Sequence, residues 1–160
     1  MINKKGFSLI EIVIVLVVVG VLTVMTVPFI TSIFDAWLTN KTERDLIFSA
    51  RSAMNMMTRE IRQVKNLTNI NTFTATEFDF YNTDDARIDY KQSGTQLLRN
   101  SDEVTDKLKA SGGLNFTYLD ANNTVTGTKA DIRLVRIRLI LESGIDNVTV
   151  ENMARLRNPY

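Results

Sequence analysis

The sequence predicts an α+β protein in which a long N-terminal α-helix packs on a small antiparallel β-sheet head. The first half of the helix is expected to span a membrane and the second half to be amphipathic. Three observations carry this prediction. Almost every residue from Phe7 to Phe34 is apolar. Apolar residues then recur at helical spacing as far as Val64, and from Thr72 onward their period changes to two.

The apolar segment is long enough to cross a bilayer as a helix, which needs about 20 apolar residues. Lys4 and Lys5 precede it, and Glu11 is the one charge between them and Asp35. Because positive residues stay on the cytoplasmic side, the N-terminus is expected inside and the rest of the chain outside. A secretory signal peptide would need a shorter apolar region and a small-residue cleavage site, which residues 25–31 do not contain. A plain membrane anchor is the other alternative, and neither explains Glu11.

Glu11 is the unusual residue of this segment. A carboxylate within an apolar membrane helix costs about 2–3 kcal/mol even on lenient scales, and such residues usually have a partner and a function. No Lys or Arg follows it within one helical turn. If the chain were cut before Phe7, the new α-amino group would be the natural countercharge, in the same chain or in a neighbour. A tolerated interfacial glutamate is the alternative that the residues alone leave open.

The stretch Lys5-Gly6-Phe7-Ser8-Leu9-Ile10-Glu11, followed by the apolar run, resembles the processing site of type IV prepilins. That family comprises pilins, minor pilins and the pseudopilins of type II secretion. The resemblance implies that a prepilin peptidase cleaves between Gly6 and Phe7 and that Phe7 is N-methylated. It implies that Glu11 docks a subunit by pairing with the Phe7 amino group of a neighbour. It also implies storage in the inner membrane, followed by assembly with other pilin-like subunits into a cell-surface or periplasmic filament.

The expected organisation is therefore a leader peptide (1–6), a transmembrane and filament-core helix (7–34), an amphipathic continuation (35–66) and a sheet head (67–160). Gly20 and Pro28 should weaken the helix, because glycine is flexible and proline lacks the N–H donor. The alternatives are a simple kink and, by the same resemblance, a segment that loses helicity in the assembled filament. Trp37 fits an interfacial anchor and could equally pack on another helix.

The second half of the helix carries one apolar stripe among charged residues, which favours packing on a sheet over contact with lipid. Its members are spaced by three and four residues: Ile47, Ala50, Met54, Met57, Ile61 and Val64. Beyond it, alternating patterns predict strands near residues 73–80, 87–90, 96–99, 114–119 and 131–142, with a hairpin turn at 120–123. The alternation slips between Leu134 and Val135, which predicts a β-bulge there.

The amino-acid composition excludes several classes of function. The chain has no Cys and no His, so disulfides, thiol and imidazole catalysis and the usual zinc sites are excluded. Without Lys4 and Lys5, the 19 positive side chains become 17 against 18 negative ones, which gives no electrostatic case for nucleic acid as a partner. No cofactor, metal or small-molecule substrate is predicted, and the protein is not expected to be an enzyme.

The order of three short segments, 54–62, 115–120 and 155–158, resembles minor pilins, most closely the PilW-like group and the J-like group of type II secretion. The predicted function is a structural subunit that helps to initiate or cap a pilus or a secretion pseudopilus. The alternative is a tip adhesin or DNA-binding minor pilin, for which Arg133, Arg136 and Arg138 would supply a basic patch. A membrane-anchored enzyme would need an acid–base pair, and the sequence offers none.

Overall fold

The computed structural model describes residues 8–157. The chain divides into two compact units, Met1–Lys41 and Thr42–Tyr160. One helix, α1, extends from Leu9 to Ile61 and belongs to both units. The eight strands all lie in the second unit, which we call the head: β1 Ile70–Phe73, β2 Glu77–Tyr81, β3 Arg87–Ser93, β4 Gln96–Arg99, β5 Asp102–Thr105, β6 Leu114–Leu119, β7 Leu134–Ser143 and β8 Asp146–Arg155. Short 3₁₀ turns occupy Leu67–Asn69 and Lys129–Asp131.

From Leu46 to its end at Ile61, α1 buries one face in the head, as the spacing of the apolar residues predicts. The buried members are Leu46, Ala50, Ala53, Met54, Met57, Thr58 and Ile61. The stripe therefore begins at Leu46, and the predicted Ile47 is only half-buried. Val64 is buried as predicted, but it lies beyond the helix end and forms an isolated β-bridge with Asn82.

Strands β1 to β5 form a five-stranded antiparallel meander in which sequence neighbours are also sheet neighbours. Phe78 pairs with Tyr90 and Phe80 with Ile88, and all four side chains are fully buried or nearly so. Phe78 and Phe80 contact each other with ring centroids 4.9 Å apart. Aromatic and β-branched pairs of this kind stabilise adjacent strands.

Strands β6, β7 and β8 form a second antiparallel sheet, with β7 in the centre. The long pairing of β7 with β8 closes through a tight turn in which Gly144 has a φ of 63°, a conformation that glycine adopts without strain. Residues of both sheets and of α1 share one hydrophobic core cluster. The α+β class with an antiparallel head is thus confirmed, although the head has two sheets.

The predicted β-bulge between Leu134 and Val135 is wrong. Both residues keep a regular register, opposite Leu119 and Tyr118 respectively. The slip in the apolar pattern arises instead because Ile132 is buried outside the strand, directly after the 3₁₀ turn Lys129–Asp131. Its burial phase therefore does not have to match the alternation of β7.

Candidate functional site

The predicted processing residues, Gly6 and Phe7, lie outside the described part of the chain. The structure begins at Ser8, whose carbonyl accepts hydrogen bonds from the backbone N–H groups of Glu11 (3.0 Å) and Ile12 (3.3 Å). These bonds start α1 and place Glu11 in its first turn. The cleavage, the methylation and the docking role of Glu11 therefore stay predictions.

Glu11 is exposed on the helix surface among apolar neighbours. Its carboxylate has neither an ion pair nor a side-chain hydrogen bond with any residue between 8 and 157. The other described acidic residue of the apolar half is Asp35, far along the helix. An uncompensated carboxylate is costly in an apolar environment, so a countercharge for Glu11 would have to come from outside the described residues.

The first unit exposes its apolar side chains on every side of the helix. Between Leu9 and Leu38 the large apolar residues are 48% to 81% exposed, and none is buried. An 18-residue window of this helix has a mean hydropathy of 2.9. By its length and composition, the helix could cross a membrane. A helix that is hydrophobic all round needs lipid or other helices as its surroundings. The structure thus contains a membrane-capable anchor.

The hydroxyl groups between Thr23 and Ser32 are satisfied by the helix itself. The hydroxyl groups of Thr31 and Ser32 each donate to the Pro28 carbonyl at 2.9 Å, and Thr23 donates to Val19 at 2.8 Å. Such internal bonds suit a helix in lipid, where unpaired polar groups are expensive. The helix runs through Gly20 and Pro28 without interruption. Loss of helicity between them concerns the assembled filament, and it stays a prediction.

Near the end of the first unit, the Lys41 ammonium lies over the Trp37 ring, 5.6 Å from its centroid. A tryptophan with a cation beside it is typical of residues at a membrane–water interface.

A buried polar contact fixes the end of α1 to the five-stranded sheet. The Tyr90 hydroxyl donates to Glu60 Oε2 at 2.6 Å, and Arg99 Nε donates to the same oxygen at 2.9 Å. Burial, followed by the hydrogen bond to Glu60, raises the pKa of Tyr90, and the bond to Glu60 raises the pKa of Arg99. A carboxylate with two donors is well stabilised in a partly buried place. The contact therefore positions the helix end on the sheet.

Two carboxylates of the head are engaged in contacts within the head. Residues 8–157 contain no group of three or more acidic side chains close enough to hold a metal ion. Asp79, the most buried carboxylate, is occupied by a bidentate pair with Arg87 (3.0 and 2.9 Å) and a bond from Asn71 at 3.1 Å. Asp120, at the predicted turn, uses its Oδ1 to accept the backbone N–H groups of Asn122 and Thr124, as Asx turns do.

The three arginines considered as a DNA patch lie on β7 or directly before it. Arg133 donates to the carbonyls of Ala130 and Ile132, and Arg136 pairs with Glu151 at 3.4 Å. A different basic feature was missed by sequence reasoning: a cleft of about 320 Å³ lined by Arg59, Arg62 and Arg157 together with polar residues. Nothing in the sequence signals it, because Arg157 follows the helix by almost a hundred residues and only the fold brings them together.

Two comparisons with known proteins bear on the site. Residues 1–27 match the family model described as the prokaryotic N-terminal methylation motif. No curated protein matches the chain. The matched segment includes Gly6, Phe7, Glu11 and Gly20, and it ends just before Pro28.

Proposed function

We propose that the chain, whose residues 1–27 match the prokaryotic N-terminal methylation motif, is a type IV pilin-like protein and a membrane-stored structural subunit of a filament. The observation that carries the proposal is the combination of this motif with a helix whose apolar side chains are exposed on all sides. In the membrane, lipid covers that surface. In a filament, the equivalent helices of neighbouring subunits cover it, so one surface serves both states.

The processing step defines the mature N-terminus. A prepilin peptidase would cut between Gly6 and Phe7, remove Lys4 and Lys5 with the leader, and leave a methylated amino group on Phe7. Loss of the two lysines removes the cations that keep the N-terminus at the cytoplasmic face. It also creates one positive charge four residues before Glu11.

Glu11 then directs docking. Its carboxylate has no partner among the described residues, and it is surrounded by apolar side chains. An amino group from the Phe7 of a neighbouring subunit would neutralise it, which a carboxylate in an apolar bundle requires. Because only one axial offset between two helices places amino group and carboxylate together, the pair would also set the register of the filament.

Within the family, we propose that the protein is a minor pilin or pseudopilin that helps to initiate or cap a pilus or a secretion pseudopilus. The support is the resemblance of its segment order to the PilW-like and type II secretion J-like groups. Its location would be the inner membrane, with the N-terminus inside and the head outside, and later a surface or periplasmic filament. The polar contacts of Arg133 and Arg136 within the head favour this structural role over DNA binding.

Processing is tested by expressing the full chain with and without a prepilin peptidase and determining its N-terminus by mass spectrometry. We expect a product that begins at methylated Phe7 and that disappears in Gly6→Leu. Gly20→Ala is the matched control, because a Cβ at Gly20 has no atom within 4 Å and the cleavage site is unchanged. A chain that still begins at Met1 beside an active, compatible peptidase would overturn the proposal.

A further inference from the structure

The cleft lined by Arg59, Arg62 and Arg157, which we call the arginine cleft, lies entirely within the head. Arg59 is in the last turn of α1, and Arg62 follows directly after its end. Arg157 comes from the segment after β8, where Leu156 is buried and its N–H donates to the Arg133 carbonyl at 3.0 Å. The end of α1 and the segment after β8 thus place three guanidinium groups around one cleft of about 320 Å³.

Arg59, Arg62 and Arg157 have no acidic partner among the described residues. None of the three guanidinium groups makes an ion pair or a side-chain hydrogen bond with a residue in the 8–157 range. Three other arginines of the head do have an acidic partner: Arg87 pairs with Asp79, Arg99 with Glu60 and Arg136 with Glu151. Three like charges around one cleft repel each other, and an anion between them would relieve that repulsion.

The rest of the lining indicates which anion fits. Asn55, Gln63 and Asn152 add amide groups, which both donate and accept hydrogen bonds and therefore suit a peptide. Asn152 already reaches across to donate to Thr58 Oγ1 at 3.3 Å. The cleft also lies at the C-terminal end of α1, whose partial negative charge disfavours a doubly charged phosphate more than a single carboxylate. Guanidinium groups bind carboxylates in a bidentate manner.

We propose that the arginine cleft is a docking socket for an acidic side chain on the head of a neighbouring subunit. This inference rests on the proposed function, because filament assembly is what brings a second head alongside. The helices of the two subunits would then be joined at the Glu11 end by one ion pair, and the heads by a second set of charges at the far end of α1.

Binding is tested with the full chain in neutral detergent micelles and a fluorescent hexaglutamate peptide, followed by anisotropy. The test variant is Arg59→Gln with Arg62→Gln. The matched control is Arg44→Gln with Arg51→Gln, two exposed arginines of the same helix that do not line the cleft. We expect affinity to fall about tenfold in the test variant and to stay unchanged in the control, as the loss of two charge-assisted contacts predicts. Hexaglutamine should not bind.

Inorganic phosphate and acetate, added as competitors, separate the possible sources of the anion. Displacement of the peptide by acetate at lower or equal concentration supports a carboxylate socket. Displacement by phosphate at much lower concentration would show a small-anion site and overturn the proposal. Equal peptide binding in the test variant and wild type, or no peptide binding at all, would overturn it as well.

A second readout distinguishes this proposal from the proposed function. In cells with the assembly machinery, the test variant should be processed normally, yet its amount in sheared filaments should fall about tenfold relative to the control variant. If wild type is neither processed nor incorporated, the proposed function fails. If wild type and the test variant are incorporated equally, only the docking socket fails.

Discussion

The two halves of α1 differ in where their partners lie. In the first half the large apolar side chains are exposed, and the carboxylate of Glu11 has no partner among residues 8–157. In the second half one face is buried in the head, and Glu60 accepts two hydrogen bonds from the adjacent sheet. One continuous helix thus has two different surfaces. The first half leaves its apolar side chains uncovered by the described residues, whereas the second half packs on its own chain.

The difference predicts that changes in the two halves have separable consequences. A substitution in the second half should lower the stability of the head. A substitution in the first half should leave head stability unchanged and act on membrane storage or assembly. The predictions below compare matched residues from the two regions, beginning with the largest expected effect.

Met57 and Met25 are the sharpest pair, because the same residue type is fully buried in the second half and 62% exposed in the first. Met57→Ala removes packed atoms from the core and should destabilise the head by about 2–5 kcal/mol. Met25→Ala should leave the head unchanged, since Met25 is exposed and belongs to the first unit. Denaturant unfolding of the full chain in micelles, monitored by tyrosine fluorescence, measures both. Equal destabilisation by the two variants would show that the halves are not independent.

Gly113 and Gly20 extend the comparison to backbone packing. A Cβ at Gly113 would lie 2.4 Å from the Lys109 carbonyl oxygen and 2.8 Å from its nitrogen, so the chain must shift. Gly113→Ala should therefore destabilise the head by about 1–3 kcal/mol, as overpacking does. Gly20→Ala should have no effect on head unfolding. Gly127→Ala is the control within the head, because nothing lies within 4 Å of a Cβ there. If Gly113→Ala has the same unfolding free energy as wild type, the Lys109 backbone does not restrict the side chain at this position.

Glu60 and Glu11 place the same carboxylate in two environments, one bonded to the head and one exposed on the apolar half of the helix. Glu60→Gln keeps the shape but removes the charge that Arg99 pairs with, and should destabilise the head by about 1–2 kcal/mol. Glu11→Gln should leave unfolding unchanged while it lowers incorporation into filaments. The two readouts, thermal unfolding and the subunit content of sheared filaments, should each respond to one variant. If Glu11→Gln lowers the thermal unfolding temperature of the head, the two halves of α1 are not independent.

The same difference explains how much the sequence alone could predict. The membrane half needs only a long apolar run and a motif, both local, so Glu11 and the anchor could be identified from the residues. The strands β4 and β6 were predicted at their observed bounds: β6 alternates clearly, and β4 is a short apolar segment between polar residues. The apolar stripe of α1 was predicted with an error of one position at its start, and its last predicted member, Val64, lies beyond the helix end.

What the sequence could not predict depends on contacts between distant residues. The strand β5 was missed because its four residues are mostly polar and it lies at a sheet edge. The strand β8 was missed for a similar reason, since only Ala154 in it is buried, and Val148 and Val150 are only partly buried against the core. The division into two sheets and the arginine cleft likewise follow from tertiary packing, which a local pattern does not encode.

The smallest expected effect concerns pH and the head alone. Burial, with the charge of Glu77, raises the pKa of Tyr118, whose hydroxyl donates to the Thr74 carbonyl at 2.8 Å. In the unfolded chain the phenol ionises near its ordinary pKa of about 10. Its stabilising contribution is therefore complete below that pH and is lost as pH rises toward the higher folded pKa. Between about pH 9 and pH 11 this loss amounts to about 1.4 kcal/mol for one tyrosine.

Tyr118→Phe should remove that loss, so its unfolding free energy should fall less steeply with alkaline pH than that of wild type. At neutral pH the variant should lose only about 0.5–1.5 kcal/mol, the contribution of one hydrogen bond. Comparing the two chains cancels the lysines that titrate in the same range, because both chains contain them. Tyr81, which is only half-buried, supplies the control: Tyr81→Phe should leave the steep slope in place. Parallel pH profiles for wild type and Tyr118→Phe would show that this phenol ionises in the folded head as readily as in the unfolded chain. Water would then reach the Tyr118 hydroxyl in β6. The head would be less tightly packed there than its comparison with the exposed first half of α1 assumes.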